Sequence, residues 1–255
     1  MCEAVANDTN GDTVSNVGDT FGYAYGDGSQ LIDFMTAAGI DTAKINEEGK
    51  VELVINTEKT AQWVEKMYQI YEKPNVYSAN PFKAKEERIS FKNGMLLFNA
   101  SSPRGLISAA DYSFDVGMLP HPKWDEAQEE YYTMVDGSHQ ALAVPVTASS
   151  LDMIGAVTEV LNAESWKLVT PAYYDVALKV KATRDNESVE MLDLIMDSRI
   201  FDFGYVYDGW GGPSFLLADF VANKNTDFES TYASKEKAIM SQYDKVIDFF
   251  ENYDG

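Results

Sequence analysis

The sequence predicts an α/β fold, and three observations carry the expectation. Short apolar runs with strand character (Val51–Ile55, Met95–Asn99, Phe114–Leu119, Ala141–Val144) alternate with longer segments whose apolar residues recur at helical spacing. The helical segments open on capping residues and close on Gly or Pro. The chain has 255 residues, enough for a sizeable core in one large domain or two lobes, with no internal repeat and no low-complexity linker.

In chain order, Met1 to Ala6 reads as the end of a helix, followed by an Asp/Asn/Gly-rich loop and the strand-and-turn segment TFGYAYGDG. Leu31 to Ala38 predicts a short helix stopped by Gly39, and Asn46 to Gly49 a turn. After the strand Val51–Ile55, Asn56 or Thr57 caps a helix carrying Ala61, Val64, Met67, Tyr68 and Tyr71, which Pro74 ends. Asn75 to Lys85 is a polar loop, and a short helix at Glu86 to Phe91 leads into Met95–Asn99. Pro120-His121-Pro122 ends the strand Phe114–Leu119, and Trp124 to Glu130 is an acidic connection. Three helix starts follow the strand Ala141–Val144. They are Ser149 with Asp152 as a capping box, Thr170-Pro171, and Asn186 ahead of the stripe Val189, Leu192, Ile195 and Met196. An aromatic segment, Tyr205 to Asp208, enters the turn Gly209-Trp210-Gly211-Gly212, Ser214 starts a helix, and a last helix spans about Ser234 to Tyr253.

Lys and Arg number 20 against 41 Asp and Glu, a formal charge of −21. That balance argues against nucleic acid or an anionic membrane, both of which need clustered cations. Cys2 is the single cysteine, so no internal disulfide forms; no basic and apolar leader precedes it, and the longest apolar runs are too short to span a bilayer.

Asp8, Asn10, Asp12, Asn16 and Asp19 stand at positions 1, 3, 5, 9 and 12 of a twelve-residue loop, with the Val14 carbonyl at position 7. This is calcium-loop spacing. Thr13 occupies position 6, where the sharp turn favours Gly, and Asp19 stands where a longer Glu is usual. The other reading is a polar turn without metal.

Catalysis is not expected. His121 and His139 are the only histidines, and no transition-metal ligand set, nucleophile elbow, P-loop or dinucleotide fingerprint occurs. Among so many carboxylates no glycosidase-like pair stands out.

The strand ending in a "VP" step, SSLDMIGAVTEVL, ESWKLVTPAYYDVALK, the RDNES helix start, FKNGMLLFNASSP and DVGMLPHP together resemble the extracellular solute-binding proteins of bacterial ABC importers, the large sugar-binding family 1. The resemblance covers most of the chain in the family's order. It implies a periplasmic-binding-protein-like (type II) fold, here partial and mainly the second lobe. Residues 1–137 and 199–255 would form a discontinuous main lobe, and 138–198 a helical segment belonging to the other lobe. It further implies capture of a mono- or oligosaccharide for an ABC permease outside the cell, at its surface or in the periplasm. The loop at Asp8 resembles the shorter, dockerin-like calcium loop that such proteins sometimes carry, giving a structural Ca2+.

For the ligand wall, Trp210 between glycines is a ring free to stack on a sugar, with Tyr207 and Asp208 beside it. Ser102 and Arg104 follow a strand where the family presents ligand-facing residues. The competing readings are a Trp210 that covers the core beside Phe215, and a Ser that merely caps a helix. Much of the family's first lobe has no counterpart in this chain, so uncovered surfaces are expected to favour self-association. The alternative function is a calcium-stabilised structural or adhesion module; a glycan-active enzyme is a distant third.

Overall fold

The structure, a computed structural model, describes residues 1–25, 28–73, 76–78, 90–137, 140–180, 185–208 and 212–252. It is mixed α/β. In chain order come α1 (Cys2–Val5), β1 (Phe21–Tyr25), α2 (Gly28–Ala37), β2 (Ala43–Ile45), β3 (Val51–Leu53), α3 (Glu58–Tyr71), β4 (Val76–Ser78), β5 (Leu96–Phe98), α4 (Pro103–Ala109) and β6 (Thr133–Met134). They are followed by α5 (Leu151–Glu164), α6 (Asn186–Asp197), β7 (Arg199–Ile200), α7 (Phe203–Asp208), α8 (Pro213–Ala222) and α9 (Phe228–Glu251). The chain divides into two compact units. The first holds residues 1–100, 121–137 and 198–253, and the second 101–120, 138–197 and 254–255. Residues 101–120, assigned to the main lobe by the sequence reading, cluster with the second unit.

In the first unit β1 lies between β4 and β5, all parallel, with Tyr23 opposite both Val76 and Phe98. β2 and β3 form an antiparallel hairpin around the turn at Asn46–Gly49, and β6 pairs with β7 in parallel. The last pair was not legible, since two residues carry no periodicity. α2 stops where Gly39 takes φ +69°: Gly39 N–H donates to Thr36 O and Ile40 N–H to Met35 O, tying up carbonyls at the helix end. Thr57 caps α3 by accepting from Thr60 N–H at 3.1 Å. The buried core joins Leu31, Ile32 and Met35 of α2, Trp63 and Val64 of α3, Leu217 and Phe220 of α8, and Tyr232, Ile239 and Tyr243 of α9. α9 begins earlier than the apolar stripe implied, because Asp227 accepts from Ser230 N–H and Phe228 is already buried. His121, half-buried edge-on against Phe34 with ring centroids 4.7 Å apart, is held below the usual histidine range by desolvation.

The second unit is helical, and three expectations are corrected there. Neither Phe114–Leu119 nor Ala141–Val144 is a strand; among its described residues the unit contains no strand to pair with them. Met118 N–H is satisfied instead by Ser188 Oγ at 3.1 Å. Thr170-Pro171 does not open a new helix. From α5 the chain continues through a π-helical stretch at Ser165–Val169, then Thr170 in right-handed helical conformation, into a second π-helical stretch at Ala172–Val180. The wider register absorbs a proline that has no N–H to give. α6 forms as expected, but Asp185 rather than Asn186 accepts from Ser188 N–H, at 2.6 Å. The predicted helix at Glu86 to Phe91 and the stop at Pro74 lie mainly outside the described residues, as does most of the loop from Asn75 to Lys85.

Candidate functional site

The loop from Asp8 to Asp19 is closed at its base by a two-way backbone bridge between Asn7 and Thr20, and β1 follows at once. Inside it the predicted ligand residues are linked to one another. Asn16 Nδ2 donates both to Asp12 Oδ2 at 2.7 Å and to the Val14 carbonyl at 2.9 Å, while Asn10 Nδ2 donates to Asn16 Oδ1 at 3.0 Å. The Asp12 carboxylate and the Val14 carbonyl, positions 5 and 7, thus both accept from the one Asn16 amide. Asp8 accepts Gly11 N–H and Thr13 N–H, and buried Asp19 accepts Thr9 N–H and Asn16 N–H, so both carboxylates are aimed by backbone donors. Thr13 takes φ +62°, the left-handed turn that position 6 demands and that Gly would adopt without strain. Among the described residues no three His, Cys, Asp or Glu side chains gather as a metal group. The donor set is instead carboxylate, amide and carbonyl oxygen, which fits a hard cation such as Ca2+.

The sequence-predicted ligand wall falls into two groups in different units. Ser102 and Arg104 share the first turn of α4 in the second unit, both exposed, and Ser102 holds the N-cap position without a side-chain capping bond. Tyr207 and Asp208 end α7 in the first unit. Trp210 lies outside the described residues, as does His139.

α7 forms where the sequence pattern predicts an aromatic segment leading into the Gly-rich turn and assigns it no helix. Asp202 caps it, its Oδ1 accepting Tyr205 N–H at 2.6 Å and Thr42 Oγ1–H at 3.0 Å. Burial holds the Asp202 carboxyl above the usual carboxylate range against these two hydrogen bonds. Gly204 permits the close approach of α7 to the hairpin, since a side chain there would collide with Thr42 and with the backbone of Ala43. α7 thereby aligns a column of rings. Buried Tyr243, whose hydroxyl donates to Gly204 O at 2.9 Å, stacks on Phe203 at 6.0 Å between centroids. Phe203 meets Tyr207 at 5.0 Å, and Tyr207 meets Phe250 edge-on at 6.2 Å. Tyr207 is 40% and Phe250 59% exposed, so the column runs from core to surface. The i, i+4 spacing of Phe203 and Tyr207 was the available signal.

In the second unit, Asp193 accepts from Lys179 Nζ at 2.6 Å and from Tyr174 Oη at 2.7 Å, and Lys179 lies 4.6 Å over the Tyr174 ring. The hydrogen bond from Lys179, then that from Tyr174, lowers the Asp193 pKa; burial first, then Asp193, raises that of Tyr174. The cluster ties the second π-helical stretch to α6. Its donors and acceptors satisfy one another, as in a structural clasp.

No family model matches the chain, and neither the curated proteins nor the solved structures provide a match.

Proposed function

We propose that the chain is the substrate-binding component of an ABC importer, with a periplasmic-binding-protein-like (type II) architecture, capturing a mono- or oligosaccharide outside the cell or in the periplasm and presenting it to a permease. The observation that carries this reading is the anchored ring column. Tyr207 is exposed, yet it is held through Phe203 and the core residue Tyr243, which makes a rigid surface for the apolar C–H face of a sugar. Asp208 and Trp210 follow directly in sequence and are assigned to the same wall, with Ser102 and Arg104 as polar contacts. The division of the chain into two compact units supports capture by lobe closure. The reading contains no chemical step.

In this proposal Ca2+ is a structural ion held by Asp8, Asn10, Asp12, the Val14 carbonyl, Asn16 and Asp19. The pre-aimed oxygens of that loop also favour a second reading, a calcium-stabilised structural or adhesion module without transport.

A thermal-shift screen against mono- and oligosaccharides, run in calcium and again in chelator, separates the two, because a ligand of the folded state raises the unfolding midpoint. Solute capture predicts a rise with one sugar class. A response to calcium with none to any sugar selects the structural module.

A further inference from the structure

Tyr207 does not stand alone at the outer end of its column. α9 presents Tyr243, Ile247 and Phe250 at the spacing of one helix face, and α7 sets Phe203 and Tyr207 against the first and last of them. Tyr207 and Phe250 meet at 88° with ring centroids 6.2 Å apart, and they are 40% and 59% exposed. Two planes at that angle bound a corner, whichever ring turns its edge to the other. A flat body lying on the face of Tyr207 therefore has the face of Phe250 at its rim. Both walls are braced: Phe203 backs Tyr207 at 5.0 Å, and Phe249 meets Phe250 at 5.5 Å and 79°. One turn earlier on α9, half-buried Val246 and Ile247 extend the Phe250 wall as apolar surface.

The two walls act on different parts of a sugar. A pyranose offers apolar C–H groups on its faces, which suit Tyr207, and in the ordinary hexoses it carries hydroxyl groups around its rim. A rim hydroxyl pressed on a phenyl ring loses water and gains no partner, whereas a methyl group in the same place gains from the contact. We infer that the corner selects a sugar with a methyl group on its rim, as a 6-deoxyhexose or an N-acetyl sugar carries, and that Phe250 makes the selection. The inference rests on Tyr207 as the sugar platform and narrows what that platform accepts. An enclosed apolar pocket rejects an added hydroxyl about a hundredfold. A wall open to water on one side should do so about tenfold.

Equilibrium titration of the parent chain with matched sugars tests this. L-Fucose is set against L-galactose and L-rhamnose against L-mannose, pairs that differ only in methyl or hydroxymethyl, and N-acetylglucosamine against N-formylglucosamine, which lacks the acetyl methyl. The parent should prefer the methyl-bearing member in at least one pair, about tenfold in the first two or about fourfold in the third, the worth of one methyl group. Preference in the first two assigns a 6-deoxy sugar, and preference in the third an N-acetyl sugar. Phe250→Ser should bind both members of the preferred pair alike, while Phe250→Leu, which keeps an apolar wall, should retain most of the preference. The ratio within a pair is a readout that a mere loss of stability does not move. Saturable binding with equal affinity in all three pairs overturns the inference and leaves the sugar platform intact. A preference that survives in Phe250→Ser does the same, as does saturation by some other saccharide with none of the paired sugars bound. If no saccharide saturates the parent chain, the sugar reading itself fails, and the inference with it.

Discussion

Asp202 allows the coupling between hairpin and α7 to be measured. Its Oδ1 accepts from Tyr205 N–H and from Thr42 Oγ1–H, and Thr42 is fully buried, so water cannot replace the carboxylate. In Asp202→Ala both donors lose this acceptor, at about 1–3 kcal/mol each. Relief from burying a carboxylate offsets part of that, leaving an expected loss of about 2–3 kcal/mol at neutral pH. Asp202→Asn keeps an acceptor oxygen without the charge and should stay within about 1 kcal/mol of the parent. The pH dependence separates the two effects. Burial raises the folded-state pKa of Asp202 above its ordinary 3.8, so the folded chain holds this proton more tightly than the unfolded chain. The resulting stabilisation is complete below the unfolded value and is lost as pH rises through the folded one. Asp202→Asn should remove that decline from the pH profile. Urea unfolding of the three chains from pH 3 to pH 8 (a window of about five units that starts just below the ordinary carboxylate value) gives every quantity. An Asp202→Ala chain within about 0.5 kcal/mol of the parent, the size of an ordinary surface change, would refute the reasoning.

Other substitutions probe neighbouring steps. Gly204→Ala places a methyl group against Thr42 and the Ala43 backbone and should cost about 2 kcal/mol in urea unfolding. Tyr243→Phe leaves the Gly204 carbonyl without the donated hydroxyl and should cost about 1 kcal/mol. Thr13→Gly relieves a left-handed residue at φ +62°; the strain of roughly 1–2 kcal/mol outweighs the added backbone freedom of Gly, so the unfolding midpoint should rise slightly. In the same assay Ca2+ should raise the midpoint of the parent chain and leave that of Asp12→Ala unchanged, since Asp12 is one of the proposed carboxylate ligands.

Local chemistry was the legible part of this fold. Gly39 ends α2, Thr57 starts α3 and Asp8 to Asp19 closes into a loop because each outcome is decided within a few residues. The strands expected at Phe114–Leu119 and Ala141–Val144 depended on a partner that a sequence pattern cannot supply. Their residues carry strand composition, but the unit around them is helical among its described residues. The helix running through Thr170-Pro171 shows the opposite case, in which a strong local start signal is overridden by an existing helix that widens its turn. At the candidate site Tyr207 was visible as an aromatic near a Gly-rich turn. Its support by Phe203 and Tyr243 was not, because Tyr243 lies thirty-six residues further on and meets α7 only after α9 has docked.

The central claim is that the ring column binds sugar, and equilibrium titration of the parent chain and Tyr207→Ala with the most stabilising saccharide tests it most directly. The account predicts saturable binding by the parent and affinity about tenfold weaker in the variant, the loss of one stacking contact worth roughly 1.4 kcal/mol. Equal affinity in both chains, or no saturable binding by the parent to any saccharide, would contradict it.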